Sequence, residues 1–210
     1  MPTDAARAYR AIKEKIITLE LAPGSVIQDG ELMQELQLGR TPIREALKLL
    51  EAEKLVMTVP RRGIFVASIS ITDLQQIIEV RLELEGLAMR LACERANAED
   101  LARLGKYLER LAGDEMRSLP TRERLELDRE IHLALTRAAH NTFLTVEVER
   151  FYDLARRLWY YTLGRVRPSE VNLQSHQEII QAVLRRDAAE AERLMRQHIL
   201  EFQQTVKEVI

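Results

Sequence analysis

The chain has 210 residues, 46% of them hydrophobic and 5% aromatic, with 31 Lys/Arg against 33 Asp/Glu. No apolar run approaches the ~20 residues that a bilayer-crossing helix needs, no secretory leader opens the sequence, and the single Cys93 excludes an internal disulfide framework. This composition points to a helix-rich, cytoplasmic chain of one or two domains, whose net charge of −2 places any affinity for nucleic acid in the position of its cations rather than in their sum.

In chain order, residues 5–20 are expected to form a first helix with Tyr9, Ile12, Ile16 and Leu19 on one stripe, ended by Leu21-Ala22-Pro23-Gly24. Asp29 is expected to cap a short second helix whose Leu32, Met33 and Leu36 face the core. Residues 39–54 read as a third helix, started by Thr41-Pro42, with Ile43, Ala46, Leu47 and Leu50 on one face. Arg40, Arg44 and Lys48 fall four apart on another face. A helix anchored on one side and basic on the other suits a DNA major groove, although such a helix in isolation is more often a solvated surface element. Residues 55–59 and 64–67 are β-rich and flank Pro60-Arg61-Arg62-Gly63, a hairpin with two cations at its tip. Over residues 1–68 there are ten Lys/Arg against nine Asp/Glu, about +1, leaving about −3 beyond.

The stretch ELMQELQLGRTPIREALKLLEAEKLVMTVPRRGIFVA resembles the winged helix-turn-helix of GntR-family bacterial transcription regulators. The likeness runs through Glu31, Leu32, the RTPIREAL block and the Pro-Arg-Arg-Gly-Ile-Phe-Val wing. Gln37 departs from it, standing where the family has a turn glycine, and so does Gly39, where a capping Ser is usual. The resemblance makes Arg40, Thr41, Arg44 and Lys48 on the recognition helix, with Arg61, Arg62 and Gly63 on the wing, the candidate contacts to double-stranded DNA.

Residues 68–72 read as a linker, and beyond it the pattern is helical throughout. Thr72-Asp73-Leu74-Gln75 looks like a capping box opening a helix to about residue 96, and Asn97 is expected to cap the next, to about 118. Leu119-Pro120-Thr121 resets the chain for a helix up to 139, and Asn141 starts one ending near 164. Pro168-Ser169 opens a fifth, and Asp187-Ala188-Ala189-Glu190 caps a sixth. About six antiparallel helices make an all-α bundle. This is similar to the effector-binding domain of the FadR-like branch of the same family. The expected fold is therefore mainly α: a winged helix-turn-helix over residues 1–68, then an all-α effector-binding and dimerisation domain over 69–210.

Polar groups on apolar faces carry the second half of the reading. Asp128 and His132 lie one turn apart on the side shared by Leu125, Leu135 and Ala139. His176 lies with Ile179, Ile180 and Val183, and His198 with Ala191, Leu194 and Phe202. The last two are about eleven residues either side of Asp187, so an antiparallel pair sets them at one level, ~16 Å from the turn. Three imidazoles and a carboxylate suit a borderline divalent ion such as zinc, nickel, manganese or iron. Each histidine alone would read as a satisfied core residue, yet the full set also falls where many FadR-like effector domains carry metal ligands. His140 ends a helix and reads as a capping or packing residue.

Arg81 points away from the wet face of its helix, among Leu74, Ile77, Ile78 and Ala88, with Glu85 one turn on. It forms either a buried Arg81–Glu85 ion pair or a bidentate receptor for an effector carboxylate or phosphate. The expected function is that of a homodimeric transcription regulator, a repressor in the commoner family behaviour, which senses a small organic acid beside the metal. The rival is a metal-dependent hydrolase or isomerase in the helical domain, for which no separate general base or nucleophile is found.

Overall fold

The computed structural model describes residues 2–162 and 173–208 and divides into two compact units, Met1–Ser70 and Ile71–Ile210. In the first, α1 (Asp4–Ile17) is N-capped by Thr3, whose hydroxyl accepts from the Ala6 N–H. It stops at Ile17 rather than near residue 20, because Leu19 turns left-handed, with φ 62°, before the Pro23-Gly24 break is reached. In α2 (Asp29–Leu36), Asp29 is the first helical residue and not the expected cap; Gln28 flanks it without a side-chain hydrogen bond. The Asp29 carboxylate still lies in the first turn, where the helix dipole favours it. Gln37 adopts φ 53° and its side-chain amide donates to the Gln34 carbonyl, so the left-handed turn forms without a glycine.

The recognition-type helix, α3 (Arg40–Ala52), leaves from Gly39 and has no side-chain cap. Thr41 and Pro42 are its second and third residues, so the cap expected of Thr41 is not made. Pro42 is tolerated there because the first four amides of a helix lack an internal partner anyway. Ile43, Ala46, Leu47 and Leu50 are buried as α3 packs on α1, whose Ile12 and Ile16 are fully buried too. Strands β1 (Val56–Val59) and β2 (Gly63–Val66) pair antiparallel, Val56 opposite Val66 and Val59 opposite Gly63. Val26 adds a bridge to Phe65. At the hairpin tip the Arg62 N–H donates to the Val59 carbonyl and Arg61 takes φ 65°, the pattern of a type II turn after Pro60. Gly63 follows at φ 109°, a conformation open to glycine and strained for other residues.

The second unit contains, among the described residues, α4 (Ile71–Arg95), α5 (Ala98–Ala112), α6 (Thr121–Arg137), α7 (Thr142–Thr162), α8 (Gln174–Leu184) and α9 (Ala188–Lys207). Helix α4 is the axis, packed along α9 and against α6, α7 and α8. It begins at Ile71, so Thr72 lies inside the helix and does not cap it. Helix α5 ends at Ala112 instead of about 118: Gly113 leaves the helix extended, and Asp114–Arg117 form a separate 3-10 turn. The expected start at Pro168-Ser169 lies outside the described residues. The Asn141 side chain accepts from the Leu144 N–H and that of Asp187 from the Glu190 N–H, as caps should. No described helix is long and apolar enough to cross a membrane.

Asn97 and Asp100 form a reciprocal capping box at the start of α5. His140, at φ 47° in the α6–α7 turn, brings Nε2 to 2.7 Å from the same Asp100, fastening two helix junctions together. Asn97→Ala should therefore cost about 1 kcal/mol, read as a lower urea midpoint at unchanged slope. An unshifted midpoint would remove Asn97 from the account of this junction.

Candidate metal centre and nucleic-acid interface

On α6 the one-turn spacing of Asp128 and His132 aims both into the bundle, where both are buried. The α8–α9 hairpin brings His176 and His198 level, ring centroids 4.4 Å apart. The four side chains converge so that one ligand atom from each lies within 4.8 Å of all the others. Nε2 of His132 is 3.1 Å from Nε2 of His198, and Asp128 Oδ1 is 3.2 Å from His176 Nε2 and 3.9 Å from His198 Nε2. Bonds of ~2.1 Å give ligand–ligand edges of ~3.0–3.4 Å; the 3.1 and 3.2 Å separations match such a shell, and the wider pairs need to close in by under about 1.5 Å to complete it around one ion.

The hydrogen bonds around the four prepare them for a cation. Glu85 Oε2 sits 2.5 Å from His132 Nδ1, which places the ring proton there and leaves Nε2 as a lone pair facing inward. His198 Nδ1 is 2.9 Å from Ser175 Oγ. The Tyr152 hydroxyl donates to Asp128 Oδ2, leaving Oδ1 toward the imidazoles. His176 is fully buried; its Nε2 faces Asp128 Oδ1 at 3.2 Å without a well-aligned hydrogen bond, and its Nδ1 has no hydrogen-bond partner among the described residues. A buried imidazole without an aligned hydrogen bond is costly, and a bound ion at Nε2 relieves part of that cost. The residues present fit a divalent ion.

The ionisation of the cluster follows the same logic. Burial opposes charge on Asp128, but the imidazoles of His132 and His176 outweigh it and hold its carboxyl well below the usual carboxylate range. Burial and the neighbouring His176 and His132 push His198 well below the ordinary histidine value, toward the neutral form that binds metals. Burial also opposes charge on Glu85, and the nearby Arg81 and His132 override it, lowering its carboxyl to about 2. Tyr152 is raised well above the ordinary phenol value by burial and by Asp128, so it remains a donor. Away from the centre, burial raises the Cys93 thiol to about 11, in keeping with an inert packing role.

Arg81 is 4% exposed, and its Nε donates to Glu85 Oε1 at 2.6 Å, so the buried ion pair exists. The guanidinium lies 5.2 Å from the Tyr152 ring centroid and 5.6 Å from that of Phe202. Its Nη nitrogens make no hydrogen bond to any described residue. Tyr152, Ser175 and the contact from Glu85 to His132 were not among the expected site residues. The sequence signal for Glu85 is its place one turn after Arg81, which explains the ion pair but not the histidine.

On the first unit, Arg40, Thr41, Arg44 and Lys48 are all exposed on α3, and Arg61, Arg62 and Gly63 are exposed at the hairpin tip. The nearest ion-pair partner of Arg44 is Asp29, a loose 4.0 Å away. Arg62 rests over the Phe65 ring at 5.8 Å. The helix and the hairpin thus present cations without strong internal partners, the arrangement needed to meet phosphates and base edges.

The family model for bacterial regulatory proteins of the gntR family matches residues 4–66, and that for the FCD domain matches residues 76–201. The HTH-type transcriptional repressor GlaR of Escherichia coli (strain K12) is 33% identical over 199 residues, covering 91% of this chain and 90% of its own. The repressor RspR of the same organism is 27% identical over 96% of this chain and 88% of its own. Among solved structures, E. coli McbR/YncC shares the fold with a TM-score of 0.86 at 20% identity, over 99% of each chain. With a basic α3, a cationic hairpin and a helical second unit at the matching positions, the chain belongs to the gntR family of DNA-binding transcription regulators, with a C-terminal FCD domain, and not to a family of enzymes.

Proposed function

We propose that this regulator represses transcription as a homodimer and is released from its operator by a small organic acid bound beside a divalent ion in the helical unit. The observation that carries this reading is the convergence of Asp128, His132, His176 and His198, with no aligned hydrogen bond at His176, beside a buried Arg81 whose Nη nitrogens make no hydrogen bond to a described residue. With the imidazoles neutral as ligands, Asp128, Glu85 and Arg81 sum to one negative charge. A divalent ion turns that into one positive charge, and a carboxylate at Arg81 returns it to zero, so ion and acid compensate each other in a site that water cannot screen. When bound, the ion supplies a Lewis-acidic anchor for a carboxylate oxygen; the Arg81 fork supplies the bidentate partner.

In the first unit, Arg40, Thr41, Arg44 and Lys48 would read or hold the major groove, with Arg61 and Arg62 on phosphate or minor groove and Gly63 shaping the wing. Two copies of residues 1–68, joined through residues 69–210, would fit a short pseudo-palindromic operator. The acid relieves repression only if it binds the operator-released state more tightly than the bound one.

The test is an operator mobility-shift titration in the presence of metal and a panel of small organic acids. At least one acid should release the protein. Arg81→Lys retains the charge opposite Glu85 but loses the fork, and should raise the required acid concentration about 10–100-fold while operator binding without acid is unchanged. Equal sensitivity of Arg81→Lys and wild type would remove Arg81 from the effector site.

A further inference from the structure

We propose that Glu85 is a shared positioning residue: one buried carboxylate that fixes both the guanidinium of Arg81 and the imidazole of His132, so the acid receptor and the ion site are set by a single side chain. The inference rests on the reading above and adds to it the link between its halves.

The geometry is specific. Glu85 is 1% exposed on α4. Its Oε1 accepts from Arg81 Nε at 2.6 Å, and its Oε2 faces His132 Nδ1 at 2.5 Å, across to α6. Each oxygen has one donor, and both donors come from groups that the proposed function uses. By taking Nε, Glu85 leaves the two Nη nitrogens of Arg81 without a hydrogen bond to any described residue, in a guanidinium that lies beside the Tyr152 and Phe202 rings, and so keeps them for an anion. By accepting from Nδ1, it fixes the tautomer of His132 that presents Nε2 to Asp128 and His198. A carboxylate is required for both tasks. A glutamine would have one accepting atom and one donating atom for two donors, and would leave an N–H facing an N–H.

A consequence for signalling follows. An anion on Arg81 neutralises the charge that now draws on Glu85, which makes the carboxylate a stronger acceptor for His132 and the imidazole a better donor. Acid and ion are then linked positively, and by reciprocity each tightens the other.

The experiment compares wild type, Glu85→Gln and Glu85→Asp as full-length proteins, folded by circular dichroism. Nitrogen NMR of selectively labelled histidine and arginine reads two signatures without metal: the Nδ1–H tautomer of His132 and a slowly exchanging Nε–H of Arg81. Zinc and manganese titrations then give the affinity for metal alone. Wild type should show both signatures. Glu85→Gln should lose at least one of them and weaken metal binding about 10–100-fold. Glu85→Asp keeps the charge, and with it the fold, but is one methylene too short to reach both partners; it should lose one signature as well. Wild-type His132 protonated on Nε2, both signatures intact in either variant, or metal affinity of Glu85→Gln within twofold of wild type would overturn the proposal. A wild-type protein that shows both signatures but takes up no metal would instead overturn the metal reading, with the positioning role of Glu85 standing.

Discussion

Arg44→Ala should weaken operator binding by about 1–3 kcal/mol, or roughly 5–150-fold, if Arg44 makes a bidentate base contact. The side chain is exposed on α3, and among the described residues its only ion-pair neighbour is Asp29 at 4.0 Å, so its removal exposes no buried charge. The folded-state core beneath it, Ile43 with Leu47, is untouched. The melting temperature should therefore stay where it is while affinity falls. Relaxed discrimination at one operator position would mark a base contact; a uniform loss with a shallower salt dependence would mark a phosphate contact. Unchanged binding of the folded variant at fixed salt would refute the assignment of α3 as the reading helix.

The first unit was legible because its signals are local. The 3.6-residue stripe of Ile43, Ala46, Leu47 and Leu50 and the cations four apart depend only on helical geometry, and the Pro-Arg-Arg-Gly tip lies between two β-rich runs whatever surrounds it. Helix termini were read less well. Thr41 and Thr72 carry the residue type of a cap, but the chain enters both helices earlier, at Arg40 and Ile71, so neither hydroxyl is in place to accept from an orphan amide. Residues 113–118 keep a helical pattern in sequence, yet Gly113 breaks the backbone and the rest tightens into a 3-10 turn.

At the metal centre the facing of His176 and His198 could be deduced from their equal spacing about Asp187, because an antiparallel hairpin fixes level by counting. The contact from Glu85 to His132 could not, since it joins α4 and α6 across 47 residues. Nor could that from Tyr152 on α7 to Asp128, because a tyrosine on an apolar helix face reads simply as core. These supporting contacts depend on how helices pack, which periodicity within one helix does not encode.

Replacing His176 and His198 together by alanine should abolish binding of the divalent ion and of whatever depends on it. Wild type gains stability from an ion that binds only the folded chain, ~2.7 kcal/mol at a hundredfold excess over Kd, so added metal should raise its melting temperature and chelation should lower it. The double variant should show neither shift. Without metal the double variant should itself be less stable than wild type, because it opens a cavity in the bundle and takes His176 away from the buried Asp128 carboxylate, so the diagnostic is the absent shift with metal rather than the starting melting temperature. The pH dependence has a definite sign. The folded value of His198 is depressed, so an unfolded chain takes up its proton first as pH falls. Stability from this group is complete above ~6.5 and is lost below it. Protons compete with the ion for the same lone pairs, so metal affinity should fall with pH as well, at His198 only as pH approaches its depressed folded value.

The central claim is that Asp128, His132, His176 and His198 hold one ion. It is tested most directly by counting metal in the full-length protein purified without chelator, with a titration of the stripped protein by zinc, nickel and manganese. One divalent ion per chain, absent from the His176→Ala/His198→Ala variant, is the result expected. No metal on purification and no binding or thermal shift with any of the three ions would contradict it, returning the three histidines to the role of packing residues.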